Sequence, residues 1–144
     1  MNCTCRRYGP DVATTGESSD PREERDVFRP GGVSYLRIPA PDPAPMTAFY
    51  RDVFGWQIRE GSSHPAFTDG TGHVIGHFRS DLAVVGEGGV LLYVYVADLD
   101  AALQRVIDHG GTIAGQPYPE GTLWVATARD PAGNFLGLWQ SGRR

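Results

Sequence analysis

Four histidines, two cysteines and six tyrosines are the residues of this chain best equipped for chemistry. His73 and His77 stand four apart in a segment that reads as a strand, so both side chains point to one side. Two imidazoles can begin a metal site. Without a carboxylate or thiol beside them they make a thin one, and they read as exposed or packed histidines. Cys3 and Cys5 form a C-x-C pair suited to a soft metal, but a structural zinc site needs a fuller set of ligands and no second pair exists. No other cysteine occurs, so the main body of the chain has no thiol for catalysis. His64 falls in a loop. His109 falls at a helix end, where an imidazole complements the helix C-terminus. No G-x-S-x-G elbow, H-E-x-x-H pair or P-loop is present. The run Gly86-Glu87-Gly88-Gly89 opens a strand rather than a helix, so it reads as a linker and not as a phosphate cradle.

Composition narrows the partners. The 144 residues suffice for one domain with one core, and a net charge of -4 argues against nucleic acid. No apolar run approaches the roughly 18 residues of a membrane span. Met1-Asn2-Cys3-Thr4-Cys5-Arg6-Arg7 lacks the apolar stretch of a signal peptide, so the expected location is cytoplasmic. Residues 1–30 mix Gly, Pro, Ser, Thr and alternating charges, with too little apolar surface to offset ordering entropy; a disordered leader is expected, with Val27 and Phe28 its candidates for docking.

The elements that must position any site begin after Gly31. Strands are expected over 33–38, 56–59, 66–68 and 73–78. Asp42-Pro43 starts a helix, with Asp as N-cap and Pro at the first position. Met46, Phe49, Tyr50 and Val53 form its apolar face, and Gly55 stops it. The same order then recurs. A strand over 90–96 leads to a helix capped by Asp98, with Leu99, Ala102, Leu103, Val106 and Ile107 on one face. Gly110-Gly111 ends that helix, and strands follow over 112–114, 122–127 and 135–139. Asp42 and Asp98, like Gly55 and Gly111, stand 56 residues apart. A βαβββ unit is therefore used twice, over about 31–85 and 89–141. The fold class is α+β.

One stretch stands out. Asp130-Pro131-Ala132-Gly133-Asn134 is a turn signal feeding the apolar strand Phe135-Leu136-Gly137-Leu138-Trp139. It resembles the last hairpin of the vicinal-oxygen-chelate superfamily, the glyoxalase, bleomycin-resistance and extradiol-dioxygenase proteins. Ala48-Phe49-Tyr50-Arg51-Asp52-Val53-Phe54-Gly55-Trp56, Tyr95-Val96-Ala97-Asp98-Leu99-Asp100 and His109-Gly110-Gly111 resemble that family in the same order, and the likeness covers about 31–141 of a domain taken as 31–144. It implies two sheets curved into a mixed-sheet cup with helices outside. In metal-dependent members, His, Gln or Glu on the first and fourth strand of each unit hold the ion. Those positions map to Tyr35, Gly76, Leu91 and Gly137, which make no metal site. No metal and no other cofactor is expected.

Strand alternation from those positions gives a candidate lining. Tyr35 brings Val33 and Arg37; Gly76 brings Val74 and Phe78; Leu91 brings Tyr93 and Tyr95; Gly137 brings Phe135 and Trp139; Trp124 joins from the neighbouring strand. The expected ligand-binding set is Tyr35, Arg37, Phe78, Leu91, Tyr93, Tyr95, Trp124 and Trp139. Gly76, as a cup-facing position, would turn His73 and His77 away. The lining suits a flat apolar or aromatic molecule whose anionic or carbonyl oxygen Arg37 grips; as an alternative, the aromatics simply fill a core. The expected function is binding of an aromatic or drug-like ligand. The alternatives are a metal-independent lyase, isomerase or tailoring enzyme, with Tyr35, Tyr93 or Tyr95 as acid–base groups, and a metal-dependent glyoxalase or dioxygenase. Whether the chain is an enzyme stays open at this point. A homodimer is expected, because two open sheets leave edges to cover.

Overall fold

Both helix starts are built as the sequence dictates. A computed structural model describes residues 27–144; Cys3, Cys5 and most of the expected leader lie outside the described residues. Of the docking candidates, Val27 is buried and Phe28 exposed. Asp42 caps α1 (Pro43–Phe54) by accepting from the Ala44 N–H, and Gly55, in the left-handed region at φ 71°, closes it. Asp98 caps α2 (Leu99–Asp108) through the Ala101 N–H. The buried side chain of Gln140 takes the Leu99 N–H at 2.6 Å, satisfying another of the donors a helix start leaves open.

Around these helices run β1 (Tyr35–Pro39), β2 (Gln57–Arg59), β3 (Ala66–Thr68) and β4 (Ile75–Arg79), then β5 (Tyr93–Tyr95), β6 (Thr112–Glu120), β7 (Leu123–Arg129) and β8 (Phe135–Ser141). They make two four-stranded mixed sheets in the orders β1-β4-β3-β2 and β5-β8-β7-β6. In each, the first and fourth strands of the unit pair in parallel and the others antiparallel. The repeat of sequence is thus a repeat of topology, and the α+β architecture of two βαβββ units with curved sheets is the observed one. Among the described residues no helix is long and apolar enough to cross a membrane.

Most strand ends shift by one or two residues from the sequence reading, and two strands differ more in length. β6 runs on to Glu120, six residues past Ala114. Pro117 and Pro119 hide it as a strand, yet an edge strand tolerates proline, and β6 lies at an edge with two register shifts. β5 is shorter than 90–96. The Phe135 N–H at the start of β8 is taken by the Val85 carbonyl, so Val90 and Leu91 have no strand to pair with.

The core lies on the helix side of both sheets. Phe49, Tyr50, Phe67, Phe78 and Trp56 form a contiguous aromatic cluster, with Phe67–Phe78 centroids at 5.1 Å and Tyr50–Phe78 at 5.4 Å. Leu99, Val106, Leu136 and Leu138 continue it under α2. One polar network crosses this core. Asp130 accepts from the Tyr50 hydroxyl at 3.0 Å, from the Ala132 and Asn134 N–H groups, and from the Asn134 amide at 2.9 Å. That amide also donates to the Pro39 carbonyl at 2.7 Å, while its oxygen accepts from the Val85 N–H at 2.9 Å. Burial pushes the Asp130 carboxyl above its ordinary range, with its hydrogen bonds pulling the other way. The stabilisation tied to its proton is therefore full below about 3.8 and is lost as pH rises through the raised folded value.

Asn134→Ala leaves the Pro39 carbonyl, the Val85 N–H and one Asp130 oxygen short of a partner. Urea unfolding is expected to show a loss of about 3 kcal/mol, the scale for buried groups left unsatisfied.

Candidate functional site

Where the two units meet, the edge strand β1 comes near the stretch that leads into β5, and the linker passes over both. Because neither edge pairs with the other, the seam keeps a cavity of about 540 Å³. Its wall is Leu36, Ile38 and Pro39 from β1, Val74 before β4, Val85 and Val90–Leu92 from the linker, Tyr93 of β5, and Phe135 and Leu136 of β8. Tyr50 and Asn134 also reach it, but their polar groups are engaged in the Asp130 network. Arg37 is the one charged side chain in the wall, and it has no hydrogen-bond or ion-pair partner among the described residues. A neighbouring groove of about 410 Å³ shares Leu36, Val74, Leu92 and Tyr93 and adds Phe54, Trp56, Val94 and Tyr95.

The sheet faces turned from the helices are chemically distinct. In the first sheet the register sets Tyr35 opposite Ile75 and Arg37 opposite His77, so these share the open face with Arg79. The Tyr35 hydroxyl meets His77 Nδ1 at 2.8 Å. Partial burial and the charges of Arg79, Arg59, His64 and Arg37 hold His77 below the usual imidazole range. In the second sheet the open face carries Tyr93, Tyr95, Phe135 and Trp139, with Tyr95 and Trp139 edge-to-face at 4.8 Å.

The expected lining is therefore divided. Arg37, Leu91 and Tyr93 line the cavity, with Val33, Val74 and Phe135 of the wider lining, and Tyr93 and Tyr95 line the groove. Tyr35 and Trp139 lie on the open faces instead. Phe78 is fully buried in the core and Trp124 lies on the helix side, 5.4 Å beneath the Arg144 guanidinium. The cause is register. Gly76 pairs with Leu36 and Phe67, and a Cβ there would meet the Leu36 carbonyl at 2.1 Å and the Phe67 ring at 2.5 Å. Gly76 faces the core, Phe78 goes with it, and His77 faces outward beside Tyr35, the reverse of the expected orientation. The wall residues Leu36, Ile38, Val85, Leu92 and Leu136 were absent from the expected set. The alternation that selected Tyr35 and Arg37 assigns Leu36 and Ile38 to the other face, and that parity was the available signal.

Residues 32–138 match the model of the Glyoxalase/Bleomycin resistance protein/Dioxygenase superfamily. The chain belongs to this superfamily. Among curated proteins it is similar to "Putative glyoxylase CFP32" of Mycobacterium tuberculosis and of Mycobacterium bovis, at 23% identity over 129 residues, 83% of this chain and 49% of that protein. The chain thus spans about half the length of the curated relatives it matches. Among solved structures it resembles a family enzyme of Burkholderia phytofirmans PsJN (24% identity, TM-score 0.62, 75% of this chain and 97% of that one). It also resembles TnmS3, an antibiotic binding protein of Streptomyces sp. CB03234 (18%, 0.60, 77% and 96%), and the fosfomycin resistance protein FosX of Mesorhizobium loti (19%, 0.61, 77% and 92%). These likenesses show the fold.

The four positions that the resemblance assigned to a metal do not come together as donors. Tyr35 is engaged by His77, Gly76 faces the core, Leu91 carries no donor, and the Tyr93 ring lies where a Cβ on Gly137 would stand, 2.1 Å away. Among the described residues no three His, Cys, Asp or Glu side chains come together as a metal site.

For His77, a depressed pKa means the folded chain holds its proton less firmly than the unfolded one. Stability linked to the neutral ring is present above about 6.5 and is lost as pH falls through the depressed value. In an NMR titration the His77 ring should titrate below about 6.5, and Arg59→Gln should move its midpoint upward by removing a repelling charge.

Proposed function

We propose that this chain binds a small, flat, apolar or aromatic molecule in the seam cavity, with Arg37 pairing an anionic or carbonyl oxygen of the ligand. The observation that carries this reading is a cavity of about 540 Å³, walled by aliphatic and aromatic side chains, with one unpartnered guanidinium among the described residues. Drug-sized ligands occupy spaces of about 300–1,000 Å³ whose walls are mostly apolar with a few polar groups to fix orientation. Burying about 200 Å² of apolar ligand surface contributes about 5 kcal/mol, and a charge-assisted hydrogen bond from Arg37 adds orientation. The structural neighbour TnmS3 is named an antibiotic binding protein, which supports a binding reading.

A second reading rests on the Tyr35–His77 hydrogen bond. A phenol and an imidazole 2.8 Å apart beside Arg37 can pass a proton to a ligand and hold an oxyanion, the parts a metal-independent lyase or isomerase needs. We also propose that two copies associate, because Tyr93 and Tyr95 are 41% and 54% exposed on a face they share with Phe135 and Trp139.

The probe for the cavity is 1-anilinonaphthalene-8-sulfonate, an apolar aromatic with one anionic group. Saturable binding is expected at one site per chain. Leu92→Trp should abolish it by filling the cavity, and Arg37→Gln should weaken it about tenfold. Binding unchanged in Leu92→Trp overturns the reading. If a turned-over substrate is found, Tyr35→Phe should lose turnover and keep probe binding on the second reading. Sedimentation velocity at about 30 micromolar, on the scale of common dimer affinities, should show a two-chain species, and monomer alone removes the dimer.

A further inference from the structure

The linker between the two units touches β8, leaves it and returns to it. The Val85 carbonyl accepts from the Phe135 N–H at 2.9 Å, and the Leu92 carbonyl accepts from the Gly137 N–H at 2.8 Å. These anchors stand two residues apart on β8, about 7 Å at the usual rise. The chain between them, Gly86-Glu87-Gly88-Gly89-Val90-Leu91, has an extended reach of about 23 Å. With both ends pinned close together and this much slack, it is a compact loop of the Ω type.

Little holds this strap between its anchors. Among the described residues no hydrogen bond reaches the backbone of Gly86–Leu91, and Glu87 to Arg129 at 3.3 Å is its one side-chain ion pair. That pair is exposed and of the kind that contributes little to stability. A side chain added at Gly86, Gly88 or Gly89 would meet nothing within 4 Å. Gly89 sits at φ 86°, in the left-handed region that glycine adopts without steric cost. Loop residues so placed can absorb the backbone rotation of a hinge.

The strap carries an apolar side chain into solvent. Val90 is 96% exposed, yet it stands at the rim of the seam cavity beside Leu91 in the wall. Val33, 69% exposed, belongs to the same rim. A lone exposed valine is ordinary. Two at the mouth of one apolar cavity, one of them on a hinged strap, mark a surface that a further contact would cover.

We propose that Gly86–Leu91 is a lid that folds down over the seam cavity when an apolar ligand enters. It turns about Gly86 and Gly89 and brings Val90 from solvent onto the ligand. This inference rests on the reading of the cavity as a ligand site and adds how that site closes. The driving force is the apolar surface that Val90 and the ligand withdraw from water together. In the empty chain the same motion orders a glycine-rich strap without that gain, so the lid stays up. The anchors at Val85 and Leu92 hold throughout, so closure leaves both sheets and the Asn134 joint in place. Its effect falls on ligand escape, as affinity differences within one site mostly do.

The test uses the full chain with 1-anilinonaphthalene-8-sulfonate. Gly86, Gly88 and Gly89 do not line the cavity, so a probe that merely fills it leaves their amides alone. Saturating probe should slow the exchange of these three amides with water, read by NMR, while Gly121 between β6 and β7 is unchanged. In stopped flow, Val90→Ser should release the probe about tenfold faster, the scale of withdrawing much of one valine side chain from water. Its urea midpoint without probe should match the parent, because that side chain already stands in water. Unchanged glycine exchange overturns the lid even where Val90→Ser binds weakly, since Val90 is then a fixed part of the rim. Parent-like release from Val90→Ser overturns it too. Absence of saturable binding, or binding that survives Leu92→Trp, overturns the cavity reading and the lid with it. Saturable binding that Leu92→Trp abolishes, without a glycine response, overturns the lid alone.

Discussion

The side-chain amide of Asn134 ties together three stretches far apart in sequence: the end of β1 through the Pro39 carbonyl, the linker through the Val85 N–H, and its own turn through Asp130. Asp130 extends the tie to α1 through the Tyr50 hydroxyl. No apolar side chain could replace it, because the Pro39 carbonyl and the Val85 N–H each need a partner where water is scarce. The cost is a carboxylate held mostly away from solvent, offset by the four donors it accepts. The turn that marks the family in the sequence is therefore the joint between its two units.

That joint also shapes the cavity. Tyr50, Val85 and Asn134 are at once members or partners of the network and parts of the wall. The linker is held at Val85, so Val90 and Leu91 close the space rather than pair as strand. A cavity lined by aliphatic groups tends to collapse or fill; here its opposite sides are fixed by hydrogen bonds that do not depend on filling it. The space is thus held open by the fold's own hydrogen bonds.

Much of the fold was legible because each signal was local. Both aspartate caps, the helical faces starting at Met46 and Leu99, the stop at Gly55 and the 56-residue repeat depend on neighbours within a few turns of chain. The site was only partly legible because it depends on register, which no local signal fixes. Tyr35 and Gly76 were both assigned to the cup, but parallel pairing sets Gly76 opposite Leu36, so one of the two had to face the core. Phe78 followed Gly76 inward and His77 came outward in exchange. Residues such as Leu36 and Leu136 looked like ordinary core, and chemically they are; they become a wall because a cavity opens at the seam between units. Pro117 and Pro119 concealed the longest strand for a related reason, since only the sheet order reveals that β6 has a free edge.

The same logic gives a physical meaning to Gly137. It stands where the family resemblance places a metal-binding glutamate, and the space beside it is filled. The Tyr93 ring lies over the glycine so closely that a Cβ would stand 2.1 Å from Cε1 and 2.6 Å from Cζ. Tyr93 is 41% exposed, so a side chain at 137 would displace the ring rather than unfold the strand. Displacement matters because Tyr93 lines both the cavity and the groove beside it. The glycine at 137 thus seats an aromatic ring at the place where the two spaces meet, and any side chain there would move that ring and disturb both walls at once.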